Sequence, residues 1–256
     1  MSNEVMKKDT GSVALFGDDL QKGFENMTQE DMALPFVRIL GQLSPQVTDG
    51  DAKYIDGAKP GMIYNTVTSE CFDGKKGIKV IPCYYKKDFP EWSDRGDGPG
   101  APVAVHLPNS PVIQTGKRDG SKIRLPNGNY LEETASYYVL VETKAGGMTP
   151  ALISMKSTQL NVSKKWNSMM KTIQIPDGKG GFAIPPMHGV VYNLQSVLQK
   201  NDKGSWYGWS VAQDRIMGQE DKSLYLNAKD FRGNVSKGNV QTKADVEEKA
   251  KDNTPY

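Results

Sequence analysis

Three stretches of the chain interleave cations with aromatic rings. KKGIKVIPCYYKKDFPEWSDR (75–95) holds Lys86 and Lys87 beside Tyr84, Tyr85 and Trp92. GKRDGSKIR (116–124) carries Lys117, Arg118, Lys122 and Arg124 around one aspartate. The third runs from Lys144 to Lys203. It has eight lysines, Lys164 and Lys165 among them, against Asp177 and Asp202, with Trp166, His188 and Tyr192 interleaved. Just beyond it, Trp206, Tyr207 and Trp209 crowd one short segment. Cations along a phosphate path and aromatic faces under the bases are the chemistry that holds single strands. The expected phosphate contacts are therefore Lys86, Lys87, Lys117, Arg118, Lys122, Arg124, Lys164 and Lys165. The expected stacking residues come from Tyr84, Tyr85, Trp92, Trp166, Tyr192, Trp206, Tyr207 and Trp209. These eight rings cannot all face out, because a β-rich domain must also fill its inside.

Other chemistry finds little to work with. The only histidines, His106 and His188, are 82 residues apart, and the only cysteines are Cys71 and Cys83. These make no triad, zinc set or disulfide framework. No Walker loop, GxSxG, HExxH or dinucleotide fingerprint occurs. Carboxylates alone can bind Mg²⁺, but Asp94, Asp97 and Asp119 fall in Gly-rich loops, poor places to hold two metal ions. The sequence therefore predicts no cofactor, no metal and no enzyme. No apolar run approaches the length of a transmembrane helix, and MSNEVMKKDTGSV has no apolar signal region, so no membrane association is expected.

Charge is distributed unevenly. The net of +2 hides a net of −4 over residues 1–35 and +7 over 36–240. Acidic ends flank a basic body, the pattern of a polyanion-binding domain. Gly and Pro, 26 and 15 of 256 residues, imply many turns between short elements.

These residues need elements to position them. Residues 1–33 read as a flexible acidic arm with at most one short helix near 15–24. The segment 34–232 reads as one domain, and 233–256, nearly free of apolar residues, as a disordered tail. Strands are expected at 62–67 and 77–85, with an Asp73-Gly74 turn between them and Pro82 forcing an edge or a bulge. A long Gly/Pro loop follows at 93–111. Short strands near 112–115 and 121–125 bracket GKRDG. TASYYVLVET (134–143) is the clearest strand, with Tyr137, Val139 and Val141 on one face and Tyr138 and Leu140 on the other. ALISM (151–155) leads into a helix at about 157–173, where Trp166 packs and at least one of Lys164 and Lys165 projects to solvent. Alternation at 190–213, broken by Asn201-Asp202-Lys203-Gly204, predicts a hairpin. Residues 214–232 look helical.

Strands, one helix and a closing hairpin follow the order of an OB-fold. The expected fold class is thus β-rich α+β: an OB-like barrel with one plug helix at about 157–173 and inserted loops. LPFVRILGQLSPQ, DAKYIDGAKPGMIYNTVT, GIKVIPCYYKKDFPEW, ALISMKSTQLNVSKKWNSMM and NDKGSWYGWSV resemble a family of single-stranded DNA-binding proteins of tailed bacteriophages. The resemblance spans residues 34–213. It implies a protein that coats and protects unwound DNA in replication or recombination, in the cytoplasm of the bacterial host. It also implies phage replication proteins or RNA polymerase as partners, the latter through a transcription-cofactor role, and a homo-oligomer as an option. The terminal Tyr256 fits that family, but the alternating charge before it departs from a strongly acidic tail.

Overall fold

The computed structural model describes residues 15–19, 22–27, 31–94, 102–202 and 204–240. Its centre is a long antiparallel strand, β4 (Ile78–Trp92), which belongs to two sheets at once. Its first half pairs on one side with β9 (Thr134–Glu142), which pairs in turn with β10 (Met148–Lys156). On the other side Ile78–Val80 pair with β13 (Val190–Asn201), which pairs with β14 (Gly204–Ile216); a separate two-stranded ribbon, β11 (Ile175–Pro176) with β12 (Phe182–Ala183), precedes β13 in the chain. The result is a curled, half-closed barrel sheet in the order β10-β9-β4-β13-β14. The register of β4 on β9 shifts between Pro82 and Tyr84. A proline cannot donate to the ladder, so the expected bulge sits where the sequence placed it.

The sheet is apolar on both faces, as the two-sided pattern of 134–143 requires. On the inner face Val80, Tyr137, Val139, Ile153, Tyr192 and Leu194 are fully buried. Two elements cover them: β1 (Val37–Ile39) with β2 (Ile63–Asn65) and β3 (Cys71–Phe72), and helix α2 (Leu160–Thr172). Phe36 makes a parallel bridge to Leu152, which docks this small sheet beside β10. A 3-10 turn at Ser157–Gln159 starts the helical segment, and α2 proper is Leu160–Thr172. It buries Ser163, Trp166 and Met170, spaced to lie on one helix face. Lys164 and Lys165 are exposed.

The outer face carries a second core of Ile81, Cys83, Leu140, Leu152 and Val191. A C-terminal helix, α3 (Lys222–Ser236), closes it with Ala228 and Phe231. The expected tail from 233 is therefore corrected. The helix runs to Ser236, and Val235 and Val240 pack on this second core. Residues 241–256 lie outside the described residues, as does most of the expected arm. The helical reading of 214–232 is also adjusted: β14 extends to Ile216 before the chain turns.

The second half of β4 organises an insert between β4 and β9. Beside it run β5 (Ala104–His106) on one side and β8 (Tyr130–Glu132), β7 (Lys122–Arg124) and β6 (Lys117–Asp119) on the other. Where a strand was expected at 112–115 there is a short helix, α1 (Pro111–Thr115). Ser110 precedes Pro111, and proline is pre-organised for the first helical position. Val112 and Ile113 pack on Phe89, Ile123, Leu125 and Leu131, a third core that covers one face of this sheet. The turn from β6 to β7 is Gly120-Ser121, with Gly120 at φ +59°, where a side chain would be strained.

Candidate nucleic-acid interface

Strand register sorts the insert sheet into two faces. Phe89, Glu91, Ile123 and Leu131 share the face that packs on α1. The opposite face is read across the ladder. Pro90 faces Val105, Trp92 faces Tyr130, and Tyr130 faces Arg124. Lys122 faces Glu132 and Lys117 faces Arg124. One continuous surface therefore has two aromatic rings, Trp92 and Tyr130, side by side on neighbouring strands. Lys122, Arg124 and Lys117 stand in the next rows. Neighbouring strands are about 4.8 Å apart, so these cations stand one or two strand spacings from the rings.

The contacts within this surface are specific. Lys122 Nζ sits 3.6 Å from the Tyr130 ring centroid and the Arg124 guanidinium 5.6 Å. Lys156, the last residue of β10, donates to Glu132 at 2.7 Å and lies 6.0 Å from the Trp92 ring. Trp92 Nε1 is buried and has no hydrogen-bond partner among the described residues. Arg124 is shared by Asp119 at 3.3 Å and Asp94 at 2.9 Å, which together raise its pKa and hold its fork in place. The four cations thus face three nearby carboxylates, so the surface is only modestly positive.

Lys156 links this surface to a groove. Ser157 and Thr158, the next two residues, form one wall. Asn201, Gly204, Ser205 and Trp206 at the tip of the β13–β14 hairpin form the other. The groove is open and holds about 320 Å³. Ser157 has φ +52°, a sparsely populated conformation for a residue with a Cβ.

A buried carboxylate underlies the surface. Glu91 accepts from Asn129 Nδ2 at 2.6 Å, Asn127 Nδ2 at 3.1 Å and meets His106 Nε2 at 2.7 Å. Burial pushes its pKa up, but the donors on Asn129, His106 and Asn127 together outweigh it and hold the carboxyl below its ordinary value. This cluster ties β5 and the 125–130 turn to β4. The second histidine is structural as well. His188 is buried and tilted on Tyr225 at 5.1 Å, with burial, then Arg232 and Lys229, lowering its pKa.

The remaining expected site residues separate into groups. Trp166, Tyr192 and Trp209 are corrected outright as stacking residues. They are 0%, 0% and 5% exposed, and Trp166 stacks on Tyr137 at 4.3 Å inside the barrel. No ring face is left for a base. Tyr192, with burial as the cause, has its pKa pushed up to about 12. Tyr85 is tilted on Tyr137 at 5.1 Å and packs on the same inner core. Tyr207 packs on Gly61, where any Cβ would meet its ring within 2.5 Å. Tyr84 lies half-buried, edge-on to Tyr138, on the same side of β4 as Trp92. Lys86 shares that side and pairs with Asp88 at 3.3 Å, while Lys87 pairs with Glu133 at 2.5 Å. Arg118 is exposed on the other face of β6, opposite Ile123. Lys164 and Lys165 occupy the solvent face of α2 near its start.

The structure therefore brings together Trp92, Lys117, Lys122 and Arg124, with Trp206 at the groove. It adds two residues that sequence reasoning missed, Tyr130 and Lys156. Of the loop carboxylates, Asp94 and Asp119 both hold Arg124, and Asp97 lies outside the described residues. Among the described residues no three His, Cys, Asp or Glu side chains are grouped to hold a metal ion. No described helix is long and apolar enough to cross a membrane.

Comparison with known proteins gives one result. Neither a curated protein nor a solved structure matches the chain. The family described as Pam3 phage gp34-like protein matches residues 7–241, nearly the whole chain. This protein therefore belongs to the Pam3 phage gp34-like family.

Proposed function

We propose that the protein binds single-stranded nucleic acid, and specifically the single-stranded DNA exposed in phage replication or recombination. The strand would lie across the outer face of the insert sheet. The observation that carries this reading is the Trp92–Tyr130 pair, set side by side on one open face with Lys117, Lys122, Arg124 and Lys156 around it. Bases stack on the two rings and phosphates exchange for the carboxylates that now hold the cations. Every base has a π face, so binding is independent of sequence.

The strand order supports the same reading. β10-β9-β4-β13-β14 is the order third-second-first-fourth-fifth of an OB barrel, with the closing contact between third and fifth strands open among the described residues. α2 (160–172) falls between the third and fourth strands, where the plug helix of that fold belongs. The β5–β8 insert is then the loop between strands one and two, and the β13–β14 turn the loop between strands four and five. OB-folds use these two loops, with the face of strands two and three, to bind oligonucleotides. Lys156 ends strand three, between the two.

The test is fluorescence anisotropy with labelled oligo-dT and a duplex of equal length at several salt concentrations. Single strands should bind more tightly, and log K should fall with log salt by about 0.7 per neutralised phosphate. Duplex binding of equal strength, or binding that ignores salt, refutes the proposal.

A further inference from the structure

The two edges of the insert sheet differ sharply. One edge is β6, Lys117-Arg118-Asp119, every residue exposed and charged. Charged side chains are how proteins keep edge strands from pairing with other chains. The other edge is β5, which pairs with β4 and has no second partner among the described residues. It lies in a stretch, residues 98–116, with no Asp, Glu, Lys or Arg. Val103, Val105 and Leu107 alternate along it and are 56%, 45% and 55% exposed. No charge guards this edge; only its three-residue length and the flanking prolines limit pairing.

The backbone at the centre of this edge is also available. Val105 faces Pro90, which has no N–H to give. In an antiparallel ladder the bonded pairs alternate, so the β4 bonds run through Ala104 and His106, and the N–H and C=O of Val105 turn outward. Prolines at 102 and 108 bound any new pairing, and between them Val103 N–H already donates to Glu91 C=O at 2.7 Å and Leu107 C=O accepts from Ser110 N–H at 2.9 Å, so the backbone bonds of a new pairing centre on Val105.

We propose that β5 is a self-pairing edge: two copies of this chain join β5 to β5 antiparallel, about a two-fold axis at Val105. The sequence Val-Ala-Val-His-Leu fits such an axis. Val105 meets its own copy, and Val103 meets Leu107 of the second chain, so three apolar side chains from each copy form one patch on one face. Ala104 and His106 meet each other on the opposite face. A second copy brings no like charge to this edge. A nucleic acid would find no cation there, which argues against it as the occupant. The contact is small compared with the roughly 1,200–2,000 Å² of stable complexes, so it makes a weak dimer. It would join two insert sheets into one, with Val105 on the same face as Trp92. The pairing itself does not depend on nucleic-acid binding.

The experiment is sedimentation velocity of the full chain without nucleic acid, over a concentration series reaching the high micromolar range. The wild type should pass from monomer to dimer as concentration rises. Val105→Lys sets two ammonium groups opposite each other and removes the central apolar pair, and should weaken association at least about fivefold. Circular dichroism melting checks that the variant is folded. In parallel, Val105→Cys and Lys117→Cys are treated with a short bis-maleimide, with the wild type as background for Cys71 and Cys83. Only Val105→Cys should give covalent dimer above that background. A wild type that stays monomeric throughout overturns the proposal. So does a folded Val105→Lys that associates as the wild type does, or equal cross-linking from the charged edge. Because nucleic acid is absent, none of these outcomes bears on the binding surface.

Discussion

Replacing Trp92 with alanine is the sharpest single perturbation. Trp92 is half-buried at the end of β4, beside Tyr130 and 6.0 Å from Lys156 Nζ. A fully buried tryptophan costs about 3–5 kcal/mol on truncation. A half-buried ring at a sheet surface should cost about half of that, which leaves the barrel core intact. Loss of stacking removes about 1–3 kcal/mol per base, so the dissociation constant for oligo-dT should rise about 5- to 150-fold. Trp166→Ala provides the contrast. That ring is wholly inside, stacked on Tyr137, so its truncation should cost the full about 3–5 kcal/mol in stability while the folded fraction binds normally. Anisotropy titrations and thermal melts on both variants separate the two effects, and Trp92→Phe should recover most of the binding. If folded Trp92→Ala binds oligo-dT within about twofold of the wild type, a change below the stacking range, the stacking surface is wrongly placed.

Further outcomes follow from other contacts. Lys122→Ala and Arg124→Ala should each lower the salt slope of single-strand binding by about 0.7. Asp119→Asn releases one of the two carboxylates on Arg124 and should tighten binding, which titration at low salt will detect. Glu91 has its pKa held below the ordinary 4.5 by its donors. Its contribution to stability is therefore present above the unfolded pKa and disappears as pH falls through the lower folded value. Urea melts should accordingly show an acid-side loss that Glu91→Gln lacks. Removing 233–256 should lower the melting temperature, because Val235 and Val240 pack on the second core, whereas ending the chain after residue 240 keeps those contacts.

Local patterns carried much of the fold. The alternation at 134–143 predicted a strand, and both its faces proved buried. Pro82 predicted an edge or a bulge, and the bulge is what forms, with the register shifting there. At least one of Lys164 and Lys165 was expected in solvent and both are exposed, whereas Trp166, also offered as a stacking residue, lies fully inside. The 112–115 segment was misread because the apolar pair Val112-Ile113 outweighed the Ser110-Pro111 start signal. The site was only partly legible, for a reason of distance. Tyr130 joins Trp92 across 38 residues and Lys156 reaches back 24 residues to Glu132. Such pairings depend on register, which a local pattern does not contain. The alternation Tyr130-Leu131-Glu132, with Leu131 fully buried, was the available signal. The opposite error concerned Tyr192 and Trp209, whose cationic neighbourhoods suggested exposure. Strand alternation puts both on the barrel's inner face, where aromatic bulk fills the core.

The most direct test of the central claim is where a bound strand touches the protein. Oligo-dT carrying photoreactive iodinated pyrimidines, cross-linked to the full chain and mapped by mass spectrometry, reads this residue by residue. The account predicts cross-links at Trp92 and Tyr130, with Trp206 at the groove as a further site, and none at Trp166, Tyr192 or Trp209. Cross-links confined to surfaces away from the insert sheet, such as the exposed side of the C-terminal helix, would contradict it.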